Sequence, residues 1–284
     1  MTTEITGKIF KGERALFRSE HMKICDSIFE DGESPLKESR DISLFRCMFK
    51  WKYPLWYGQD ITLDNCTLFE MGRAGIWYTD RISVKDTLIE APKAFRKCCG
   101  VNLKNITFAR ADETLWNCKD ISLDRVTAKG DYFCMNCEDI SIRKLELVGN
   151  YPFDGAKNVI IDSSRLLSKD AFWNCENVTV RNSFISGEYL GWNSKQLVFE
   201  NCIIESLQGL CYVDGLTIRN CKLLNTTLAF EYSTVDAEIN GSVDSVKNPF
   251  GGRIVCDGIG ELIMEPEMVD VTETEIVYRS ANDV

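Results

Sequence analysis

The sequence predicts an all-β chain wound as a right-handed parallel β-helix, a single-stranded solenoid of about 12 coils. Three observations carry this prediction. The chain repeats every 19–21 residues, short runs alternate apolar and polar residues, and no stretch shows helical periodicity. The apolar residue that opens each unit recurs at Met22, Ile42, Ile61, Ile82, Val101, Ile121, Ile140, Val159, Val178, Leu197, Leu216 and Val235. A leucine-rich repeat has a similar period but a different consensus, and a propeller blade is about twice as long.

The elements follow in order. Residues 1–15 are expected to cap the first coil, because the open edge of a solenoid needs covering. Residues 16–240 form the coils. Each opens on a short strand such as Ile61-Thr62-Leu63 or Val178-Thr179-Val180, followed by a charged residue and often Asn, as at Asn65, Asn105, Asn182, Asn201 and Asn220. Asn tolerates the left-handed backbone of a tight bend, and stacked Asn side chains bond from layer to layer. A second strand follows, as in Cys66-Thr67-Leu68, then a loop that absorbs the variation in length. A third segment ends the unit, as in Leu55-Trp56-Tyr57 or Phe172-Trp173-Asn174. Residues 241–284 are expected to supply terminal strands, a cap and an acidic tail, in a chain that forms one domain.

Units such as "DITLDNC", "DISLDRV", "NVTVRNS" and "GLTIRNC", alternating with "LWNC" and "FWNC", resemble a bacterial family known as domain of unknown function 3737. The resemblance covers nearly the whole chain. It implies a pectate-lyase-like right-handed β-helix and no established activity.

Composition narrows the function. A net charge of −10 argues against nucleic acid and anionic membrane surfaces as partners. No apolar run is long enough to span a bilayer as a helix. Met1 to Lys11 lacks the pattern of a secretory signal, so a cytoplasmic location is expected. Most of the 13 cysteines recur in phase with the repeat and are read as small buried core residues rather than disulfides or metal ligands. Cys134 and Cys137 form a lone Cys-x-x-Cys, and a zinc site needs two further ligands. No cofactor or metal is expected.

The informative column lies five residues before each anchor and holds Trp56, Trp77, Arg96, Trp116, Asp154, Trp173 and Trp192, five of the six tryptophans. The residue before each is apolar. Neighbours in a strand point to opposite faces, and Arg96 and Asp154 would be costly inside. The tryptophan column is therefore expected to face outward. Tyr132, Tyr151 and Tyr189 flank it on one side and Asn117, Asn136, Asn174 and Asn193 on the other. Aromatic faces rimmed by amides and hydroxyls suit sugar rings. The competing reading makes the tryptophans a packing column or a self-association surface.

For catalysis, the sole histidine, His21, falls at a turn near the first coil. The acid/base candidates are Asp131, Asp154, Asp170 and Glu188, which recur at or near the tryptophan face. Surface carboxylates at loop positions are normal in an acidic protein, and that reading of them ranks first. Three functions thus stay open: binding of an extended oligo- or polysaccharide along the Trp/Tyr face, a polysaccharide lyase or glycoside hydrolase acting there, and a structural module that self-associates through it.

Overall fold

A computed structural model of the chain describes residues 2–279. Its strands stack in parallel, each on the strand one repeat away, as a right-handed β-helix of about 15 turns. The count exceeds the expected twelve because the register extends past both ends of the anchor series. At the N-terminal end Thr3 pairs with Met22, so Thr3–Thr6 is a coil strand rather than a separate cap. At the other end Val235 pairs with Gly252, and Gly252 with Thr274. The supposed tail therefore contributes the strand Thr274–Tyr278, and the last five residues, 280–284, lie outside the described residues.

The chain divides into two compact units, Met1–Leu147 and Val148–Val284. In the first, the opening strands pair Ile42 with Ile61, Ile61 with Ile82, Ile82 with Val101 and Val101 with Ile121. In the second, Val159 pairs with Val178, Val178 with Leu197 and Leu197 with Leu216. Side chains alternate between core and solvent in every such strand, as the period-2 pattern requires. The anchors and the apolar residues two positions on are almost wholly buried.

The corners explain the asparagines. Asn65, Asn105, Asn182, Asn201 and Asn220 all have φ between 51° and 55°, the left-handed region that Asn enters at less cost than most residues. In the second unit their amides form a ladder. The Asn182 amide donates to Asp162 at 2.7 Å, Asn201 to Asn182 at 3.3 Å and Asn220 to Asn201 at 2.6 Å.

The cysteines behave as the repeat implied. All 13 are free and twelve are buried. The thiols of the two in-phase columns occupy corners where other coils place Ser or Thr. The backbone N–H of Cys98 meets the Cys118 sulfur at 3.4 Å, as that of Cys175 meets the Ser194 hydroxyl at 2.8 Å. Small hydrogen-bonding side chains are interchangeable here because each satisfies one buried amide.

The third side of the coil differs from expectation. Among the described residues it forms a strand pair at Ile76–Trp77 and Phe95–Arg96, with isolated bridges from Arg96 to Trp116 and from Ala229 to Val246. Elsewhere it is a stack of turns in which left-handed residues recur, as at Asp170, Phe172 and Asn174, with φ of 57°, 61° and 53°. Amides on this side bond in both directions. Phe172 N–H reaches the Pro152 carbonyl, and Asn174 N–H the Trp192 carbonyl. These layer-to-layer bonds hold a local conformation that is unfavourable alone.

Candidate functional site

On that third side each buried apolar residue directs the next one outward. Leu55, Ile76, Phe95 and Leu115 are fully buried. Trp56, Trp77, Arg96 and Trp116, one position on, are half-buried.

In the first unit these four side chains form one stack. The rings of Trp56 and Trp77 lie 5.3 Å apart and within 6° of parallel. The Arg96 guanidinium sits 4.6 Å from the Trp77 ring centre and 4.7 Å from that of Trp116. Arg96 also meets Glu113 at 3.1 Å, and Lys93 meets the same carboxylate at 2.9 Å. The indole N–H groups of Trp56, Trp77 and Trp116 donate to the carbonyls of Ala74, Lys93 and Tyr132. Tyr57 and Tyr78 stack in parallel alongside, 4.7 Å apart.

The geometry corrects one element of the sequence reading. The Trp77 ring, expected to offer an open face for sugar stacking, lies between Trp56 and Arg96 of the neighbouring layers, and Arg96 also lies over Trp116. Tyr132, 37% exposed, meets Trp116 edge-on at 6.3 Å.

Beside this stack lies a recess of about 400 Å³, lined by Tyr53, Trp56, Trp77, Arg73, Lys93 and Arg110 among others. Sequence reasoning passed over it. The available signal was the Ile61-to-Ile82 step of 21 residues, the longest of the anchor series. The added length holds the turn Glu70–Gly72, the one helical segment among the described residues.

In the second unit the aromatic run is looser. Trp173 and Trp192 lie 6.2 Å apart at 32°, with Tyr151 and Tyr189 set edge-on against them. The Trp173 N–H donates to the Tyr189 carbonyl at 2.8 Å. The run then continues through Tyr212, Tyr232 and Phe250. Tyr212 lies in the adjacent column, in phase with Asn174 and Asn193, and the next coil slips by one residue: Phe230 N–H bonds the Gly209 carbonyl, which pairs Phe230 with Leu210 and Tyr232 with Tyr212.

The acid/base candidates fall in different settings. Asp154 accepts from the Asn174 amide at 2.8 Å. Glu188 is paired with Lys169 at 2.9 Å. Asp170, only 6% exposed, accepts a bond from the Tyr151 hydroxyl, and its burial pushes the carboxyl above the usual carboxylate range. Its backbone N–H reaches the Glu188 carbonyl at 2.9 Å, which brings Asp170, Glu188, Tyr151 and Tyr189 into one neighbourhood. Asp131 belongs to the first unit, where its backbone N–H bonds the Asp112 carboxylate at 3.1 Å. His21 is exposed at a left-handed corner, 2.7 Å from Asp41. Among the described residues no group of three or more His, Cys, Asp or Glu side chains is placed to hold a metal ion, and no helix is long and apolar enough to cross a membrane.

A family described as "Protein of unknown function (DUF3737)" matches residues 3–277. None of the curated proteins matches the sequence. Among solved structures, the chain is similar to the A-module of the mannuronan C-5 epimerase AlgE4 of Azotobacter vinelandii, at 9% identity over 99% of this chain and 90% of that one, with a TM-score of 0.34. It is also similar to the surface protein and adhesin PfbA of Streptococcus pneumoniae, at 9% identity over 98% and 82% of the two chains, TM-score 0.34. A tailspike protein of E. coli bacteriophage HK620 is similar at 8% identity over 90% and 62%, TM-score 0.34.

Proposed function

We propose that this chain, which belongs to the DUF3737 family, binds an extended carbohydrate along the aromatic side of its coils. The observation that carries the reading is the fixed indole series. Trp56, Trp77, Trp116 and Trp173 each have their N–H tied to a backbone carbonyl farther along the chain, and each ring remains partly exposed. Rings held in this way lose little further freedom when a ligand arrives.

The surroundings supply the polar half of sugar recognition. In the second unit the Asn193 amide donates to Asn174, and Asn174 to Asp154, each at 2.8 Å. An amide carries two donors and two acceptor lone pairs, so a ladder that uses one donor per residue retains capacity for sugar hydroxyls. Repeating layers at roughly 4.8 Å match an oligomer of similar units better than a compact small molecule.

The test is tryptophan fluorescence titrated with neutral and uronic oligosaccharides, with Trp116→Phe and Trp173→Phe as paired variants of retained fold. A saturable change that weakens in either variant supports the reading. An unchanged spectrum across the whole panel rejects it for those sugars.

A second reading is favoured by Asp170. A buried carboxyl whose proton is held more tightly than usual, close in the fold to the Lys169–Glu188 pair, has the makings of a general acid beside a second carboxylate. On this reading the chain is a lyase or hydrolase of the bound glycan. Asp170→Asn would then abolish product formation while leaving oligosaccharide affinity intact, and an unaltered product yield would dismiss it.

A further inference from the structure

The recess of the first unit departs from an otherwise regular array. The coil from Ile61 to Ile82 has 21 residues, and its added turn, Glu70–Gly72, brings Glu70, Met71 and Arg73 to the recess. Glu70 meets Arg110 at 3.1 Å, 40 residues on, so this ion pair spans the intervening coil. That intervening coil contributes Pro92 and Lys93 to the same lining.

The charges of the recess are unequal in kind. Three cations line it, Arg73, Lys93 and Arg110. Lys93 is paired with Glu113, a carboxylate it shares with Arg96, and Arg110 is paired with Glu70 and Asp112. Arg73 is exposed and meets no carboxylate among the described residues. Of the three cations that line this recess, Arg73 alone is left without a carboxylate partner among the described residues. The volume of about 400 Å³ falls within the range of small-molecule sites. The lining is also aromatic, with Trp56, Trp77 and Tyr53, whose ring lies 4.5 Å from Trp56.

We infer that this recess receives an anionic sugar residue, its ring against Trp56, Trp77 and Tyr53, and its anion on the Arg73 guanidinium. A planar fork of donors matches the two oxygens of a carboxylate, and it also matches a sulfate ester. Both sources share the chemistry of a ring-borne oxyanion. The inference rests on the glycan-binding reading and adds a charge preference and a place to it.

The experiment compares three oligosaccharides of equal length, one neutral, one uronic and one sulfated, by calorimetric titration into the full chain and into Arg73→Gln. Circular dichroism confirms that the variant is folded, as expected for an exposed side chain. The expected result is at least about tenfold tighter binding of an anionic oligosaccharide than of the neutral one, with the preference lost in Arg73→Gln. Whether the uronic or the sulfated ligand shows it identifies the anion. Equal binding of all three, or a preference that survives Arg73→Gln, overturns the inference while leaving the glycan reading in place. No binding of any sugar to either protein removes both.

Discussion

The indole N–H of Trp116 donates a 2.7 Å hydrogen bond to the carbonyl of Tyr132, sixteen residues farther along the chain. The same device recurs at Trp77 with Lys93 and at Trp173 with Tyr189. Trp116→Phe keeps an aromatic ring and removes the donor. The variant should lose about 0.5–1.5 kcal/mol of stability, read as a lower urea midpoint at unchanged slope. An unchanged midpoint would mean that the bond does not help hold the coil.

Arg96 lies between two indoles with only 21% of its side chain exposed. Desolvated cation–π contacts are worth about 1–2 kcal/mol. A double-mutant cycle of Arg96→Gln with Trp77→Leu should therefore show a coupling of about 1 kcal/mol that persists in high salt. Coupling that vanishes with added salt would instead assign the effect to the partly exposed pair with Glu113.

Asn201 combines two duties, a φ of 54° and a place in the amide ladder between Asn182 and Asn220. Asn201→Ala should cost about 1–3 kcal/mol, the sum of backbone strain and lost hydrogen bonds. Asn201→Gly removes the strain alone and should recover part of that loss. Equal destabilisation by both would place the whole cost on the ladder.

Asp170 gives a pH signature of definite sign. Burial raises its carboxyl above the ordinary value, so the folded chain binds this proton more tightly than the unfolded one. The stabilisation is complete below the unfolded value and is lost as pH rises through the folded value. Asp170→Asn should therefore gain stability relative to the parent at about pH 7 and show no such gain at about pH 3.5. Parallel denaturation curves at the two pH values decide it; an equal offset at both would refute the assignment.

Cys99 is the single exposed thiol of the thirteen. Burial raises the Cys175 thiol and pushes that of Cys211 up to about 12, which disfavours the reactive thiolate. A chromogenic disulfide reagent should consume about one thiol rapidly in the native chain and the rest only on unfolding. Rapid reaction of several thiols would show that the coils open locally.

The anchor series from Met22 to Val235, the asparagine corners and the cysteine columns were legible in the sequence. In a stacked fold each layer repeats the environment of the last, so a residue's phase determines which side of the coil it occupies. Phase placed Trp56, Trp77, Arg96 and Trp116 one position beyond a buried column, and brought Asp170 close to Glu188. It did not reveal which way the rings lie. Ring orientation depends on the layers on either side, and there Trp77 lies nearly parallel to Trp56 while Arg96 occupies the next level. The Trp77 ring, predicted to offer an open face, is consequently enclosed by its neighbours. Two further features came from loop length rather than phase. One is the recess made by the 21-residue coil, and the other is the one-residue slip that carries the aromatic run from Tyr212 to Tyr232. A repeat specifies layers one at a time; contacts between side chains of adjacent layers exist only once the coils have stacked.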